Sequence, residues 1–451
     1  MHSRPRLSQS AILAVLLMVA GVTVLADPPA HPGRSDWKGL GTFIPYDLPY
    51  VQLTTDTSFV VRWRSRTPVI GGLRAGLARD AMPLSAGESS PATDHEIRLA
   101  GLKPGTKYFY ALTADGKPLA VEGECSAVTH PLPGQPTPTR IWVVADPQSY
   151  FDGAVQTREA YLKFTGDRRT DVFLSVGDDI RFFEIYSPVF RATAFWPTIG
   201  NHDVADLGKK GVEAYYANRT LPAGGEAGGT PSGSEHYYSF DYGDTHLICL
   251  NPELEPLTAK SPMLTWLARD LAATKARWRI AYWHRPPYIR GRYDSDTDDL
   301  MTTIRQKLLP VLEAGGVDLV LNGHCHVWQR TGLLSGHYGK SDTLTEANRL
   351  NYGDGKPDGN GPYRKKPGPN GGTVYVVAGS SVLGSPEPKE HPAVLFGSNA
   401  LGTTVIDVQG GRLHTRYLDA RGKTIDQFVI EKSPPGPASQ ATQPTTAMSG
   451  S

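Results

Sequence analysis

After Arg140 the sequence passes through six short apolar runs that each stop at a polar or ionisable cluster: IWVVAD, DVFLSVGD, WPTIGNHD, HLICLN, WRIAYWH and VDLVLNGH. Unbroken apolar runs of this length are strands buried on both faces, which requires a sheet covered by helices. Helix-period segments lie between several of them. SPMLTWLARDLAATKARW spaces its apolar residues for a helix starting at Ser261-Pro262, and MTTIRQKLLPVLEAGG stops at a glycine pair. Residues 140–432 are therefore expected to form an α/β domain, a fold that binds ligands beyond the carboxyl ends of its strands.

The first part of the chain follows a different grammar. VQLTTDTSFVVRWRS and HEIRLAGLKPGTKYFYAL are β-branched and aromatic runs broken by turn residues, with no helix-period segment between them. They predict an all-β sandwich over 45–132, closed by a Pro-rich linker over 133–139. At the N-terminus, Arg4 and Arg6 precede the apolar run Ala11 to Leu25, and Val24 and Ala26 fit a small-residue cleavage site. Residues 1–26 read as an export signal, followed by a leader over 27–44; the competing reading is an uncleaved membrane anchor, for which the run is short. The tail 433–451 is low in complexity and expected to be disordered. Two further stretches, 221–234 and 335–372, are rich in Gly, Pro and polar residues and read as long loops.

The 451 residues carry a formal net charge of +1. That leaves no electrostatic footprint for nucleic acid or an anionic membrane, so an anionic substrate must be attracted locally. Oligomeric state is not legible. Three cysteines exclude a disulfide framework; they leave either one Cys125–Cys249 bridge or unpaired, mostly buried thiols.

At the strand ends stand Asp146, Asp178, Asn201, His202, His284, His324 and His326. Singly, each has an ordinary reading: a turn, a helix cap, a satisfied core histidine. Together, at the same kind of position, they form a mixed oxygen and imidazole donor set suited to Zn, Fe, Mn or Ni rather than to Ca or Mg. The order Asp … GD … GNH … H … GHxH resembles the calcineurin-like metallophosphoesterases, and most closely their purple acid phosphatase-like branch. HYYSFDYGDTHLICLN, WHRPPY, GHCHVWQR and GGTVYVVAGS add to the likeness. It implies a fibronectin type III-like sandwich before a catalytic domain of two packed mixed sheets flanked by helices.

Carried over by position, the resemblance implies two metal ions, Fe, Zn, Mn or a mixed pair. Asp146, Asp178 and His326 would hold the first; Asp178, Asn201, His284 and His324 the second, with Asp178 bridging. Such a pair clamps a phosphoryl group and acidifies a bound water, whose hydroxide attacks phosphorus. His202 would stand near the leaving oxygen as proton or hydrogen-bond donor. The implied activity is an exported phosphatase of the monoesterase type; a phosphodiesterase is the alternative within the fold.

Two positions depart from the branch. Arg181 stands where its GDxxY tyrosine would be, and a guanidinium cannot ligate a metal. Gln148 stands where related enzymes carry a histidine ligand, and its amide oxygen is either a weak ligand or a hydrogen-bond partner of water. These changes motivate an opposing reading, an extracellular binding protein with a decayed metal site. Arg181 either holds substrate phosphate or pairs with Asp179 or Glu184. Arg285 and Tyr288 are candidate substrate contacts, with a salt bridge as the other reading of Arg285. Cys325, between two candidate ligands, should point away from the metals.

Overall fold

The computed structural model describes residues 48–147, 153–179, 182–351, 353–379 and 390–432, excepting the side chains of residues 206 and 207. The expected signal, leader and tail, as well as Gln148 and Arg181, lie outside the described residues.

Eight strands come first: β1 (Tyr50–Gln52), β2 (Ser58–Val69), β3 (Gly71–Gly76), β4 (Leu84–Gly87), β5 (Ala92–Ala100), β6 (Lys107–Ala114), β7 (Lys117–Pro118) and β8 (Ser126–Val128). They form two antiparallel sheets, β1-β2-β5 and β4-β3-β6-β7, with β8 added to β6. In β5, His95, Ile97 and Leu99 are buried while Asp94, Glu96 and Arg98 are exposed, the period of a strand with one face on a core. The Pro-Gly turn after β5 carries the chain from one sheet to the other, so the two runs around it are not hairpin partners.

The α/β part contains β9 (Thr139–Val144), β10 (Val172–Ser175), β11 (Phe195–Pro197), β12 (Tyr238–Tyr242), β13 (Thr245–Cys249), β14 (Trp278–Tyr282), β15 (Leu319–Asn322), β16 (Trp328–Thr331), β17 (Tyr363–Lys365), β18 (Val374–Ala378), β19 (Val394–Ser398), β20 (Gly402–Gln409), β21 (Arg412–Asp419) and β22 (Thr424–Lys432). One mixed sheet has the order β11-β10-β9-β20-β21-β22-β17 and the other β12-β13-β14-β15-β18-β16-β19. β9, β10 and β11 are parallel in the first, and β13, β14, β15 and β18 are parallel in the second.

Alternation along the central strands assigns their two faces. Ile141 and Val143 of β9 join Leu319 and Leu321 of β15 in one core, whereas Trp142 and Val144 face an outer layer. That outer layer comes from α1 (Gly153–Thr165) and α2 (Phe182–Phe190); Trp142 stacks on Tyr161 of α1 at 3.8 Å between ring centroids. The helix α3 (Asn201–Ala217) follows β11. On the second sheet, Val320 and Ala281 pack toward α4 (Pro262–Ala273), α5 (Asp299–Thr303) and α6 (Leu309–Ala314). The central strands of both sheets are thus buried on both faces, as the unbroken apolar runs require.

The helix expected from Ser261-Pro262 is α4: the Ser261 hydroxyl accepts from Leu264 N at 3.3 Å, and Pro262 takes the first turn, where its missing N–H leaves nothing unpaired. The second expected helix is interrupted. A π-helical turn, Ile304–Leu308, joins α5 to α6 just before Pro310. Proline has no N–H and its ring crowds the preceding turn, so the ladder widens there.

The sandwich docks on the first sheet and α3. Gln52 Nε2 donates to Phe195 O (3.0 Å), Arg62 to Ala217 O (2.7 Å), and Tyr110 Oη to Arg191 O (3.0 Å). Segment 335–372 is, over its described residues, largely without regular secondary structure, as the composition suggests, but it is held in place. Its start is fastened by buried Glu313 at the end of α6, which accepts from Gly336 N (2.7 Å), Tyr338 Oη (2.9 Å) and Tyr375 Oη (2.7 Å). Two short 3₁₀ turns, Ser341–Thr343 and Glu346–Asn348, and β17 follow.

Candidate metal centre

Five strands deliver the candidate ligands, each just past its carboxyl end. β9 leads to Asp146, β10 to Asp178, β11 to Asn201 and His202 at the start of α3, β14 to His284, and β15 to His324 and His326. The first sheet supplies oxygen donors and the second supplies imidazoles. Asp146, Asp178 and His284 present ligand atoms that all lie within 4.8 Å of one another, and all three residues are buried. Asn201 Oδ1 lies 3.0 Å from His284 Nε2 and 2.6 Å from His324 Nδ1. His326 Nε2 is 3.8 Å from Asp146 Oδ1.

The backbone is bent to achieve this. Asp146, Asp178 and His324 have φ of 49°, 59° and 68°, half of the non-glycine residues with positive φ among those described. Such conformations are disfavoured for side chains with a Cβ and persist where the surroundings over-determine them. Hydrogen bonds do so here: His324 N donates to Asp146 Oδ1 (3.1 Å) and His202 N to Asp178 Oδ1 (2.9 Å). Glycines give the room. A Cβ on Gly200 would sit 2.1 Å from Asp178 Oδ1, and one on Gly323 would sit 2.9 Å from Asp146 Oδ2.

A layer behind the cluster joins the loops. Buried Asp203 accepts from Gly200 N (2.8 Å) and from Asp179 N (3.0 Å), pinning the GNH turn to the GD turn. Asp179 accepts from Tyr215 Oη (2.7 Å) and from Ser175 Oγ. His284 Nδ1 donates to Val176 O at 2.9 Å, which leaves Nε2 to face the cluster. Fixing one ring nitrogen in this way is how metal-binding imidazoles are oriented.

Two atoms of the cluster, Asp146 Oδ2 and His324 Nε2, are buried without a hydrogen-bond partner. An unpaired buried polar atom is destabilising by about 1–3 kcal/mol. A cation would satisfy Asp146 Oδ2, and the donors suit one. The electrostatics agree. Burial, with Asp178 beside it, pushes the Asp146 carboxyl well above its ordinary range. Burial acts the same way on Asp178, but His284 and His202 overcome it and hold it at about 2. Burial lowers His284, but Asp178 foremost, with Asp146 and Glu253, drives it up to about 10. Burial, then neighbouring His284 and Arg285, pushes His324 down to about 2, leaving it neutral, the form that ligates.

The remaining expected contacts are placed less directly. Arg285 holds Glu253 Oε1 (2.9 Å) and Asp298 Oδ2 (3.0 Å), the salt-bridge reading of this residue. Tyr288 is buried and donates its hydroxyl to His337 O at 2.6 Å, so it serves packing around segment 335–338 rather than the cluster. Cys325 is buried with Ile289, Met301, Val327 and Val377. All three cysteines are free, so the Cys125–Cys249 bridge is absent.

Residues beyond the sequence reading also reach the site. The Tyr293 ring stacks on His324 with centroids 4.3 Å apart, and the exposed Arg292 guanidinium lies 5.6 Å from that ring. Both lie in the polar stretch after WHRPPY, where nothing in spacing marks them. Glu253 follows the run HLICLN, a strand end that supplied no candidate on its own.

Residues 139–328 match the family model for calcineurin-like phosphoesterase. Purple acid phosphatase 23 of Arabidopsis thaliana is 26% identical over 273 residues, covering 53% of this chain and 58% of that relative. The chain thus spans just over half of that relative and about half of purple acid phosphatases 21 and 15 of the same plant. Among solved structures, purple acid phosphatase PPD1 from yellow lupin (Lupinus luteus) aligns with a TM-score of 0.69 at 17% identity, covering 85% of this chain and 74% of that one. A structure of PhoD aligns at 0.61 with 13% identity, covering 89% and 92%. At these identities the two structures speak for the fold.

Proposed function

We propose that the chain, whose residues 139–328 match the calcineurin-like phosphoesterase model, is a metal-dependent phosphoric ester hydrolase of the purple acid phosphatase-like kind with a binuclear centre. The carrying observation is the buried convergence of Asp146, Asp178 and His284, their ligand atoms within 4.8 Å of one another, with Asp146 Oδ2 left unpartnered. Asp146, Asp178 and His326 would hold one cation; Asp178, Asn201, His284 and His324 the other. Bound there, the cations supply positive charge for the phosphoryl oxygens and acidify a water.

The protein's own groups do the rest. The His202 amide, donating to Asp178 Oδ1, holds in one orientation the carboxylate that would be shared by the two cations. His202 sits in the first turn of α3, where the helix dipole favours an anion, and its imidazole donates to the departing ester oxygen. Tyr293 covers His324 and limits water there, while Arg292 offers a cation to the incoming phosphate. Monoesters are the expected substrates, with diesters the alternative, and relative rates on an aryl phosphate and a bis-aryl phosphate decide between them. The N-terminal β-domain is read as fibronectin type III-like, contributing packing and no catalytic group. The apolar N-terminal segment supports export, and no helix among the described residues is long and apolar enough to cross a membrane.

Elemental analysis with reconstitution across Mn, Fe, Zn and Co tests the reading. Near two equivalents of metal and turnover of an aryl phosphate are expected. A protein that takes up none of these metals and hydrolyses neither ester would instead be the binding protein with a decayed site.

A further inference from the structure

Of the six apolar runs that end in polar clusters, HLICLN alone brings no candidate ligand to the metal centre. Its strand, β13, ends at Cys249, and the chain beyond it turns tightly on buried Asn251. Asn251 Oδ1 accepts from Leu254 N (3.1 Å) and Asn251 O from Glu255 N (3.0 Å). The turn holds Glu253, whose side chain is only 6% exposed, against Arg285.

Arg285 directly follows His284, at a place where the sheet no longer holds the chain. β14 ends at Tyr282. Trp283 N still donates to Leu321 O (3.2 Å), and His284 O accepts from Gly323 N (2.8 Å). The residues after Arg285 are Pro286 and Pro287, which have no N–H with which to anchor the backbone. The Arg285 side chain supplies the anchor. Its Nε donates to Glu253 Oε1 at 2.9 Å, and its Nη1 donates to Asp298 Oδ2 at 3.0 Å. Asp298 in turn caps α5, its Oδ1 accepting from Met301 N at 2.9 Å. Met301 packs in one apolar cluster with Cys325, which stands between His324 and His326 in the chain. One guanidinium thus ties the His284 loop to the end of β13 on one side, and on the other to the helix that backs the GHCH loop.

We propose that Arg285 is a positioning residue of the metal centre: held between Glu253 and Asp298, it fixes the loop that aims His284, and it takes no part in binding phosphate. This role presupposes the binuclear centre proposed above. A planar guanidinium bridges two separate carboxylates, whereas the compact ammonium of lysine carries the same charge without that fork. Arg285→Lys therefore separates geometry from charge.

Titration of the metal-free, full-length protein with Co(II), followed by visible absorption and equilibrium dialysis, is the measurement. The wild type should take up near two equivalents. In Arg285→Lys the affinity for one of them should fall about 10- to 100-fold, the range for disturbed support of a ligand, with an altered absorption spectrum and the other equivalent retained. Thermal unfolding of the metal-free variant should stay close to wild type. Glu253→Ala should weaken the same equivalent, and Glu253→Gln, which keeps an acceptor opposite Arg285 Nε, should recover part of the loss. Unchanged Co(II) affinity in both Arg285→Lys and Glu253→Ala, beside a wild type that binds, would overturn the positioning role alone. A rise in KM for an aryl phosphate would then make Arg285 a substrate contact, and a fall in metal-free unfolding temperature would make the bridge merely structural. A wild type that binds no Co(II) would overturn the binuclear reading and this role with it.

Discussion

Among the described residues, two buried assemblies of histidine with aspartate are finished differently. His246 of β13 places Nδ1 2.7 Å from Asp241 and Nε2 2.8 Å from Asp270; Asp270 also accepts from Thr230 N and Ser239 Oγ, each at 2.9 Å. Every contact is made, the backbone of His246 is ordinary, and the cluster holds β12, β13 and α4 together. At the metal centre the same residue types sit in left-handed backbone conformations and leave Asp146 Oδ2 and His324 Nε2 unpaired. Residue type and burial do not separate a structural cluster from a ligating one. Unspent hydrogen-bonding capacity and backbone strain do.

That contrast predicts a double dissociation, and its strongest test is Asp178→Ala. Turnover of an aryl phosphate should fall by about a thousandfold or more, with loss of bound metal, because several kcal/mol of charge stabilisation disappear. Thermal unfolding of the metal-free protein should stay close to wild type. A variant that unfolds early yet keeps turnover would reverse the assignment of the two clusters.

His246→Leu should do the opposite. It strands two carboxylates and is expected to destabilise by about 3–5 kcal/mol, while any folded fraction keeps its specific activity. The wild type carries a matching pH signature. His246 is raised from 6.5 to about 9, its two carboxylates overcoming burial. A folded-state pKa above the unfolded one stabilises fully below 6.5, and the contribution, about 3 kcal/mol, is lost as pH rises toward about 9. Denaturant midpoints between pH 6 and 10 should fall in the wild type, and this component of the fall should be missing in the variant.

Gly200→Ala sharpens the comparison from the backbone side. Its Cβ would overlap Asp178 Oδ1, so metal affinity should drop about 10- to 100-fold, the range for disturbed support of a ligand, as titration with Mn or Zn would measure. An unchanged affinity would show that the GNH turn has slack. The smallest effect belongs to Arg292→Ala: a several-fold rise in KM, larger at low salt, with kcat little changed, since the side chain is exposed and screened.

Much of this was readable in the sequence because the signals are local. Buried strands announce themselves as apolar runs, and the ligands follow them directly; Ser261-Pro262 marks the start of α4 for equally local reasons. What stayed hidden depends on distant partners. Segment 335–372 reads as loose by composition, but Glu313, contributed by α6, fastens its start. Glu253 and Tyr293 take their places from the fold, not from spacing. The pairing of β9 with β20 is invisible too, because residues such as Trp142 and Val405 meet across more than half the chain.

That last pairing bears on how the protein is made. The final candidate ligand is residue 326, but β9, which leads into Asp146, borders β10 on one side and β20 on the other. A nascent polypeptide halted shortly after that histidine would possess every donor atom and still lack the neighbour that seals the β9 edge. Assembly of the centre should thus await synthesis of residues 402–409, and a truncation before them should abolish metal retention without deleting a single ligand.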